Sequence, residues 1–348
     1  MRIVHFCPDD RASSGVNTFC VELDRHLRAL GVDSSIMRTY ADLVTTHQPP
    51  PTILHLHQLW LPDVHRTAAW ARQHGVPIVW STHGMTAPWS MRHKWWKKWP
   101  AWWLYQKRDL QSAALIHCTS EQEVEWNRRR GLGSELGRFV VAPLGTEGRI
   151  DGLGDCRIGG LGEFRVLFVG RVYPVKGLMN LVRAAAIVNQ SINQSVNLSI
   201  RIVGPDQAGH RAELEAECAR LGVKNVQFVG EKHGAELDAE YAGCDVLVLP
   251  SFTENFGGVV VDALAHGKPV IASRFTPWGE LEEKGCGWWV DNAPESLAKT
   301  IAEAASLPRE RLAEMGEKGR KLVEAKYTWE AVAKTMVEGY ERVVRSGL

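Results

Sequence analysis

A chain of 348 residues, at roughly 150 residues per domain, predicts about two domains. Hydrophobic residues at 45% and charged residues at 23% exclude a disordered or collagen-like chain. Lys+Arg 41 against Asp+Glu 40 gives a net charge of +1, which removes the electrostatic case for a dedicated nucleic-acid binder. Cysteines at 7, 20, 118, 156, 218, 244 and 286 form no C-x-x-C pair and read as reduced, mostly buried thiols of a cytoplasmic protein. No apolar run approaches about 18 residues, and a strand follows Met1-Arg2 directly, so neither a membrane span nor a signal peptide is expected. Tryptophan is in excess, at 14 against 6 Tyr and 9 Phe.

Short β-branched runs alternate with helical stretches, the pattern of parallel sheets wrapped by helices. In the first half the expected strands are 3–6, 52–56, 76–80, 114–117 and 138–141, with a helix from about Val16 to Leu30 after the first. Six glycines among the sixteen residues from Gly148 to Glu163 read as a linker. A second series follows, with strands at 165–169, 198–203, 226–229, 245–249 and 269–272, a helix over Ala208–Leu221, and a last helix from Thr328 to Val344. Thr328 is its expected N-cap. The expected organisation is a first α/β domain over 1–150, a linker over 151–163, a second α/β domain over 164–326, and a terminal helix over 327–348 that crosses back to the first domain. Two doubly wound domains facing each other would leave a cleft at the carboxyl ends of both sheets.

The strongest chemical signal is Pro250-Ser251-Phe252-Thr253-Glu254-Asn255-Phe256-Gly257-Gly258. A hydrophobic strand ends at Pro250, a loop presents Glu254, and two glycines open a helix whose free N–H groups favour an anion. Asp262 follows Glu254 by eight residues, so the two carboxylates can line one ligand from opposite ends. Upstream, Arg171 stands at a strand end and Lys176 five residues on. A planar fork and a point charge on one strand-to-helix loop suit a diphosphate. The bland alternative makes both loops ordinary solvated surface.

These residues carry a resemblance. G-R-x4-K-G at 170–177, P-S-x-x-E-x-F-G at 250–257, the acid eight residues later, and A-L-A-H-G-K-P-V-I at 263–271 resemble the retaining nucleotide-sugar glycosyltransferases of family four (glycosyl transferases group 1). The resemblance implies the GT-B architecture, two Rossmann-like domains facing a central cleft, with acceptor-side residues in the first and the nucleotide sugar in the second. It assigns Arg171 and Lys176 to the donor diphosphate, Glu254 to the donor sugar and Asp262 to the ribose hydroxyls. Asn255, Phe256, Gly257 and Gly258 complete the donor loop, and Gly15 brings a backbone close to the phosphates. His83, in Thr82-His83-Gly84-Met85, lies near the donor sugar, and the base near Gly230-Glu231-Lys232. Catalytic weight falls on Glu254, His83, Arg171 and Lys176. His83-Gly84-Met85 … Pro88-Trp89, with Gly285-Cys286-Gly287-Trp288-Trp289, further resembles bacterial enzymes that build capsule, O-antigen or exopolysaccharide repeats. Asp262 stands where the family usually has Glu, and Phe275-Thr276-Pro277-Trp278-Gly279-Glu280 replaces its usual Gly-rich loop.

The expected reaction is transfer of a sugar from a nucleoside-diphosphate sugar to a hydroxyl of a saccharide or lipid-linked saccharide, with no cofactor. No Asp-x-Asp pair is present, so a metal-independent enzyme is expected. His55 and His57 are spaced i, i+2 with no third ligand evident in the sequence, and read as structural. The rival functions are a sugar-nucleotide epimerase or glycoside phosphorylase on the same fold, and a non-catalytic sugar-nucleotide-binding subunit.

Between Arg92 and Arg108 there are six Lys/Arg and no acid, interleaved with Trp95, Trp96, Trp99, Trp102, Trp103 and Tyr105. Trp95, Trp99, Trp102 and Trp103 fall at i, i+4, i+7 and i+8, the spacing of one helical face. Pro100 is expected to divide the segment into two helices. Aromatic rings beside cations suit contact with an anionic membrane surface, which would place a cytoplasmic protein at the inner face of the plasma membrane. The competing expectation is a helix-packing face with snorkelling lysines.

Overall fold

The computed structural model describes residues 1–10, 15–45, 49–133, 137–147, 162–191 and 197–347. Most of the glycine-rich linker segment, with Ser14 and Cys156, lies outside them. By density of contacts the chain divides into two units, Met1–Gly145 with Thr328–Leu348, and Thr146–Tyr327.

The first unit holds β1 (Arg2–Phe6), β2 (Asp33–Met37), β3 (Ile53–His57), β4 (Ile78–Ser81), β5 (Leu115–Cys118) and β6 (Phe139–Val141). They form one parallel sheet in the order β2-β1-β3-β4-β5-β6. The strands β3, β4 and β5 are buried along their whole length, as expected of central parallel strands covered on both faces. One face packs on helix Gly15–Ala29 through Phe19, Leu23 and Leu27, and on helix Trp329–Ser346 through Trp329, Val332, Met336, Tyr340 and Val343. Thr328 caps the latter helix, its Oγ1 accepting from Ala331 N at 3.1 Å.

The second unit holds β7 (Glu163–Val169), β8 (Asn197–Val203), β9 (Val226–Gly230), β10 (Val246–Leu249), β11 (Val270–Ser273) and β12 (Gly287–Val290). These make a second parallel sheet, ordered β12-β11-β10-β7-β8-β9. Glu163, read above as the end of the linker, already pairs with Asn197 in this sheet. In each sheet the strand order reverses once, between β1 and β3 and between β7 and β10. Ligands of doubly wound sheets bind outside the carboxyl ends of the strands at such a switch point.

Two expectations for the tryptophan-rich segment are corrected. Pro100 lies inside the helix Trp95–Ala101, which runs on through a widened turn at Trp102–Gln106 into helix Lys107–Gln111. A proline removes one backbone donor and crowds the preceding turn, and prolines and π-type turns are each places where a helix bends. The tryptophans also do not share one environment. Trp102 is buried in the core beside Trp60, while Trp95, Trp96, Trp99 and Trp103 are exposed. Helix Trp95–Ala101 buries none of its residues, and the widened turn after it buries only Trp102 and Gln106.

Among the described residues every cysteine is a free, buried thiol, and no helix is long and apolar enough to cross a membrane.

Candidate active site

At the switch point of the second sheet, the loop after β7 carries Arg171 and Lys176, and the loop after β10 carries Glu254. Phe252 N donates to Val175 O at 2.8 Å and ties the two loops together. Gly177 permits the approach: its φ is +71°, and a Cβ there would lie 1.9 Å from Pro250 O, so no other residue fits. Lys176 Nζ then donates to Glu254 Oε1 at 2.6 Å, and Ser251 Oγ donates to the same oxygen at 2.7 Å. Lys176 is largely covered by this pairing. Arg171 is exposed and donates to Gln207 Oε1 at 2.9 Å. The loop ends at Gly257, whose φ of +86° starts helix Gly258–Ala265.

Phe256 turns its side chain inward, against Trp278 and Tyr327 with ring centroids 5.1 and 5.8 Å away. Its carbonyl accepts from Trp278 Nε1 at 2.5 Å. The Phe256 ring therefore belongs to the packing beneath the loop. Trp278 belongs to the loop that departs from the family pattern, and here that loop supports the glutamate loop from beneath. Asp262 is half-buried on helix Gly258–Ala265. Burial, with the nearby Asp238 carboxylate as second cause and Tyr241 opposing, raises its pKa to about 7. A carboxyl at that value is balanced between acceptor and donor at neutral pH.

In the first unit, Gly15 opens its helix with unfilled space at its Cβ position. His83 stands just past the end of β4, with φ +45°, a backbone region that a non-glycine residue enters only when its surroundings enforce it. Glu123, wholly buried, supplies the enforcement. It accepts from Thr82 Oγ1 at 2.6 Å, from Gly84 N, and from Thr119 N and Oγ1 at 2.7 and 3.0 Å. Ser120, three residues before it, caps the same helix by accepting from Glu123 N, a capping arrangement whose glutamate has been turned to hold the histidine turn. Sequence reading missed Glu123; the S-E-Q-E signature at 120–123 was the available signal.

Five histidines, His5, His55, His57, His83 and His117, form a polar layer on one face of this sheet. His5 pairs with His55 in register across β1 and β3, and Ser81 pairs with His57 and with His117. The expectation that His55 and His57 lack a third partner is corrected, since His5, His55 and His57 offer nitrogens within 4.8 Å of one another. Most of those nitrogens are already engaged. His55 shares hydrogen bonds with Tyr340 Oη at 2.7 Å and Ser81 Oγ at 2.6 Å, and His5 Nδ1 with His57 Nε2 at 3.0 Å. An ion there would have to displace them. Burial lowers the pKa of His5 and His117 to about 4 and of His83 to about 3, and holds His55 and His57 well below the ordinary range. All five are neutral imidazoles at pH 7.

Two all-parallel, doubly wound six-stranded sheets, with charged loops at the switch point of the second, define the GT-B class of glycosyltransferase fold. The family model Glycosyl transferases group 1 matches residues 160–322, and the Glycosyl transferase 4-like domain matches residues 4–145. A group 1 match thus follows a 4-like match, and both family models are of glycosyl transferases. A D-inositol 3-phosphate glycosyltransferase of Rhodococcus erythropolis is 34% identical over 189 residues, covering 52% of this chain and 42% of the relative. One from Salinispora arenicola is 31% identical over 225 residues, covering 61% and 48%. The chain spans under half the length of these curated relatives. Among solved structures, sucrose-phosphate synthase from Thermosynechococcus elongatus superimposes with a TM-score of 0.74 at 20% identity, covering 99% of this chain and all 100% of that one. Anabaena HepE in complex with UDP gives 0.76 at 18% identity, covering 98% and 100%. At these identities the likeness is one of fold.

Proposed function

We propose that the protein transfers a sugar, with retained anomeric configuration and without a metal ion, from a nucleoside-diphosphate sugar to a hydroxyl of a saccharide or lipid-linked saccharide in cell-surface polysaccharide synthesis. The observation that carries this reading is the meeting of Lys176 and Glu254 beside the Gly257-Gly258 helix start, at the switch point of the second sheet. As the bond from sugar to diphosphate lengthens, the sugar becomes oxocarbenium-like and negative charge gathers on the leaving phosphate. Lys176, the exposed Arg171 and the helix N–H groups are suited to that charge, because fixed donors cost no reorganisation at the moment of reaction. Glu254 serves the sugar. Asp262 accepts from the ribose hydroxyls, with Asn255 and the Phe256 main chain completing the loop. By the same resemblance, Gly15 serves the phosphates and His83 the sugar.

Exposure of Trp95 and Trp96 at 58%, Trp103 at 69% and Leu104 at 80%, beside Lys94 and Lys97, supports contact of residues 92–108 with an anionic membrane carrying a lipid-linked acceptor. Rings of this kind sit at headgroup depth while the cations meet phosphates. A cytoplasmic enzyme at the inner face of the plasma membrane follows from this reading.

The test is incubation with a panel of nucleotide sugars, with and without acceptors and with and without EDTA. D-inositol 3-phosphate is included among the acceptors because a relative is named for it. Slow donor hydrolysis that speeds up with acceptor and survives EDTA is the expected result. Interconversion of donors would instead make the protein an epimerase, and binding without turnover a non-catalytic subunit.

A further inference from the structure

The histidine layer contains two hydrogen-bonded chains that differ in one respect. In the first, the direction of every bond is fixed. Ala142 O can only accept, so His117 Nε2–H donates to it at 2.7 Å. A neutral imidazole carries one N–H, so His117 Nδ1 accepts from Ser81 Oγ at 2.6 Å. Ser81 in turn accepts from His55 Nε2–H at 2.6 Å, and His55 Nδ1 accepts from Tyr340 Oη–H at 2.7 Å. Every group in that chain is satisfied.

The second chain has no carbonyl to set its direction. His5 Nδ1 and His57 Nε2 lie 3.0 Å apart, and His57 Nδ1 and His83 Nε2 lie 3.1 Å apart. At the inner end, His5 Nε2 is buried without a hydrogen-bond partner. At the outer end, His83 is half-buried, and its Nδ1 has no partner among the described residues. Since each neutral ring has one N–H and one lone pair, only two arrangements exist. Either all three rings carry hydrogen on Nδ1, or His57 and His5 carry it on Nε2 together with His83. The second arrangement buries an orphaned N–H at His5, and orphaned buried donors are the rarer defect. Asp24, the carboxylate whose charge acts on His5, already accepts from Ser34 Oγ at 2.6 Å and pairs with Arg28 at 3.1 Å.

We propose that His57, backed by His5, is a positioning residue that holds His83 in a single neutral tautomer, with its proton on Nδ1 and offered as a donor to a sugar oxygen. His57 would not touch substrate. It acts through the one hydrogen bond that fixes which His83 nitrogen is the donor, as the second partner of a histidine generally does. Phe19 limits ring movement, with its centroid 5.3 Å from that of His83 in an edge-on contact and 4.9 Å from that of His117 in a stack. The donor role rests on the proposed function of His83; the tautomer does not.

The experiment is long-range ¹H–¹⁵N correlation of the imidazoles in the full-length protein at pH 7, with His83 assigned by its absence from the His83→Ala spectrum. The wild type should show one His83 pattern, with Nδ1 protonated. His57→Ala removes both nitrogens and leaves room for water, which can accept from Nε2–H or donate to Nε2, so His83 should then move to a mixture of the two tautomers. His57→Asn restores an N–H near the place of Nδ1 and should return the wild-type pattern. Should His57→Ala fail to fold, His57→Ser is read in its place, because its hydroxyl donates or accepts equally well and the same mixture is expected. An unchanged His83 pattern in the folded alanine or serine variant, or an Nε2–H pattern in the wild type, would overturn the proposal. With the nucleotide sugar that turns over in the panel, His57→Ala should lower kcat about tenfold with KM nearly unchanged, and His57→Asn should recover it. Full turnover by His83→Ala would remove the sugar role of His83 while leaving the tautomer result standing.

Discussion

Lys176 Nζ donates to Glu254 Oε1 at 2.6 Å, so the cation proposed for the diphosphate and the carboxylate proposed for the sugar neutralise each other within the protein. A phosphate that engages Lys176 must compete with this ion pair. In Glu254→Gln the amide oxygen can still accept from Ser251, but the competing charge is gone. We expect UDP to bind that variant as tightly as wild type or a few-fold tighter, while turnover falls about a hundredfold through loss of the group that serves the sugar. Calorimetric titration with UDP beside steady-state kinetics separates the two effects. A parallel loss of affinity and rate would mean that Glu254 serves the nucleotide.

Arg171 is exposed, and its bond to Gln207 is at the surface. Arg171→Ala should therefore leave unfolding free energy within about 0.5 kcal/mol of wild type, yet reduce donor turnover about a hundredfold. Urea denaturation and the donor assay on one preparation check both. Near-normal turnover would remove Arg171 from the diphosphate site.

Asp262 gives a pH signature. Its pKa is raised from 3.8 to about 7, chiefly by burial. Between those values the folded protein keeps a proton that the unfolded chain has lost, so stability falls as pH rises through this window and levels off above it. Asp262→Asn should flatten that fall and be the more stable protein at pH 8. Nucleotide affinity runs the other way, because ribose hydroxyls need an ionised acceptor. The Kd for UDP should decrease from pH 6 to pH 8 in wild type and stay level in the variant. A wild-type affinity independent of pH would exclude a ribose role for this carboxyl.

The central strands were legible because burial on both faces demands long apolar runs, such as Val246-Leu247-Val248-Leu249. The two missed strands, Asp33–Met37 and Gly287–Val290, both lie at sheet edges, where one side is unpaired and polar or bulky residues are tolerated. Lys176 and Glu254 stand out in the sequence by their motifs, but their mutual pairing depends on how closely Gly177 meets Pro250. The role of Glu123 depends on β4 lying beside β5 in the sheet. The histidine layer was hidden for the same reason. His55 and His57 announce themselves by spacing, whereas His5 joins them only through the register of β1 with β3.

That same turn offers a stability test. Glu123 accepts four hydrogen bonds from Thr82, Gly84 and Thr119. Glu123→Ala leaves buried donors unpaired and should cost about 3 kcal/mol or more. Glu123→Gln keeps the shape but sets N–H against at least one of those donors, and should cost about 1–3 kcal/mol. Urea unfolding should rank them in that order. Both should lower turnover more than a surface substitution such as Glu125→Gln, because the turn carrying His83 is no longer held at its unfavourable φ. A Glu123→Ala protein with wild-type stability would show that the turn does not depend on this carboxylate.

The exposed tryptophans give the last test. Trp89, Trp95, Trp96 and Trp103 are all more than half exposed, and Lys107 lies 5.2 Å over the Trp103 ring. Lys98 is committed differently: its Nζ donates to Ser90 O at 2.5 Å and lies 5.8 Å over the Trp60 ring. Charge reversal should therefore target Lys94 and Lys97, not Lys98, whose replacement would disturb packing as well as charge. Each cation near an anionic surface contributes about 1 kcal/mol, screened beyond roughly 8 Å at physiological ionic strength. Wild type should sediment with vesicles containing anionic lipid and be released as salt rises. Lys94→Glu with Lys97→Glu should weaken binding on the order of a hundredfold or more, and Trp96→Ala with Trp103→Ala should weaken it at every salt concentration, because ring burial is not screened. Transfer to a short soluble acceptor should survive all four substitutions, since the proposed donor residues Arg171, Lys176 and Glu254 lie in the second unit. Absence of wild-type sedimentation at low salt would assign these rings to a saccharide or protein partner and remove the membrane from the reading.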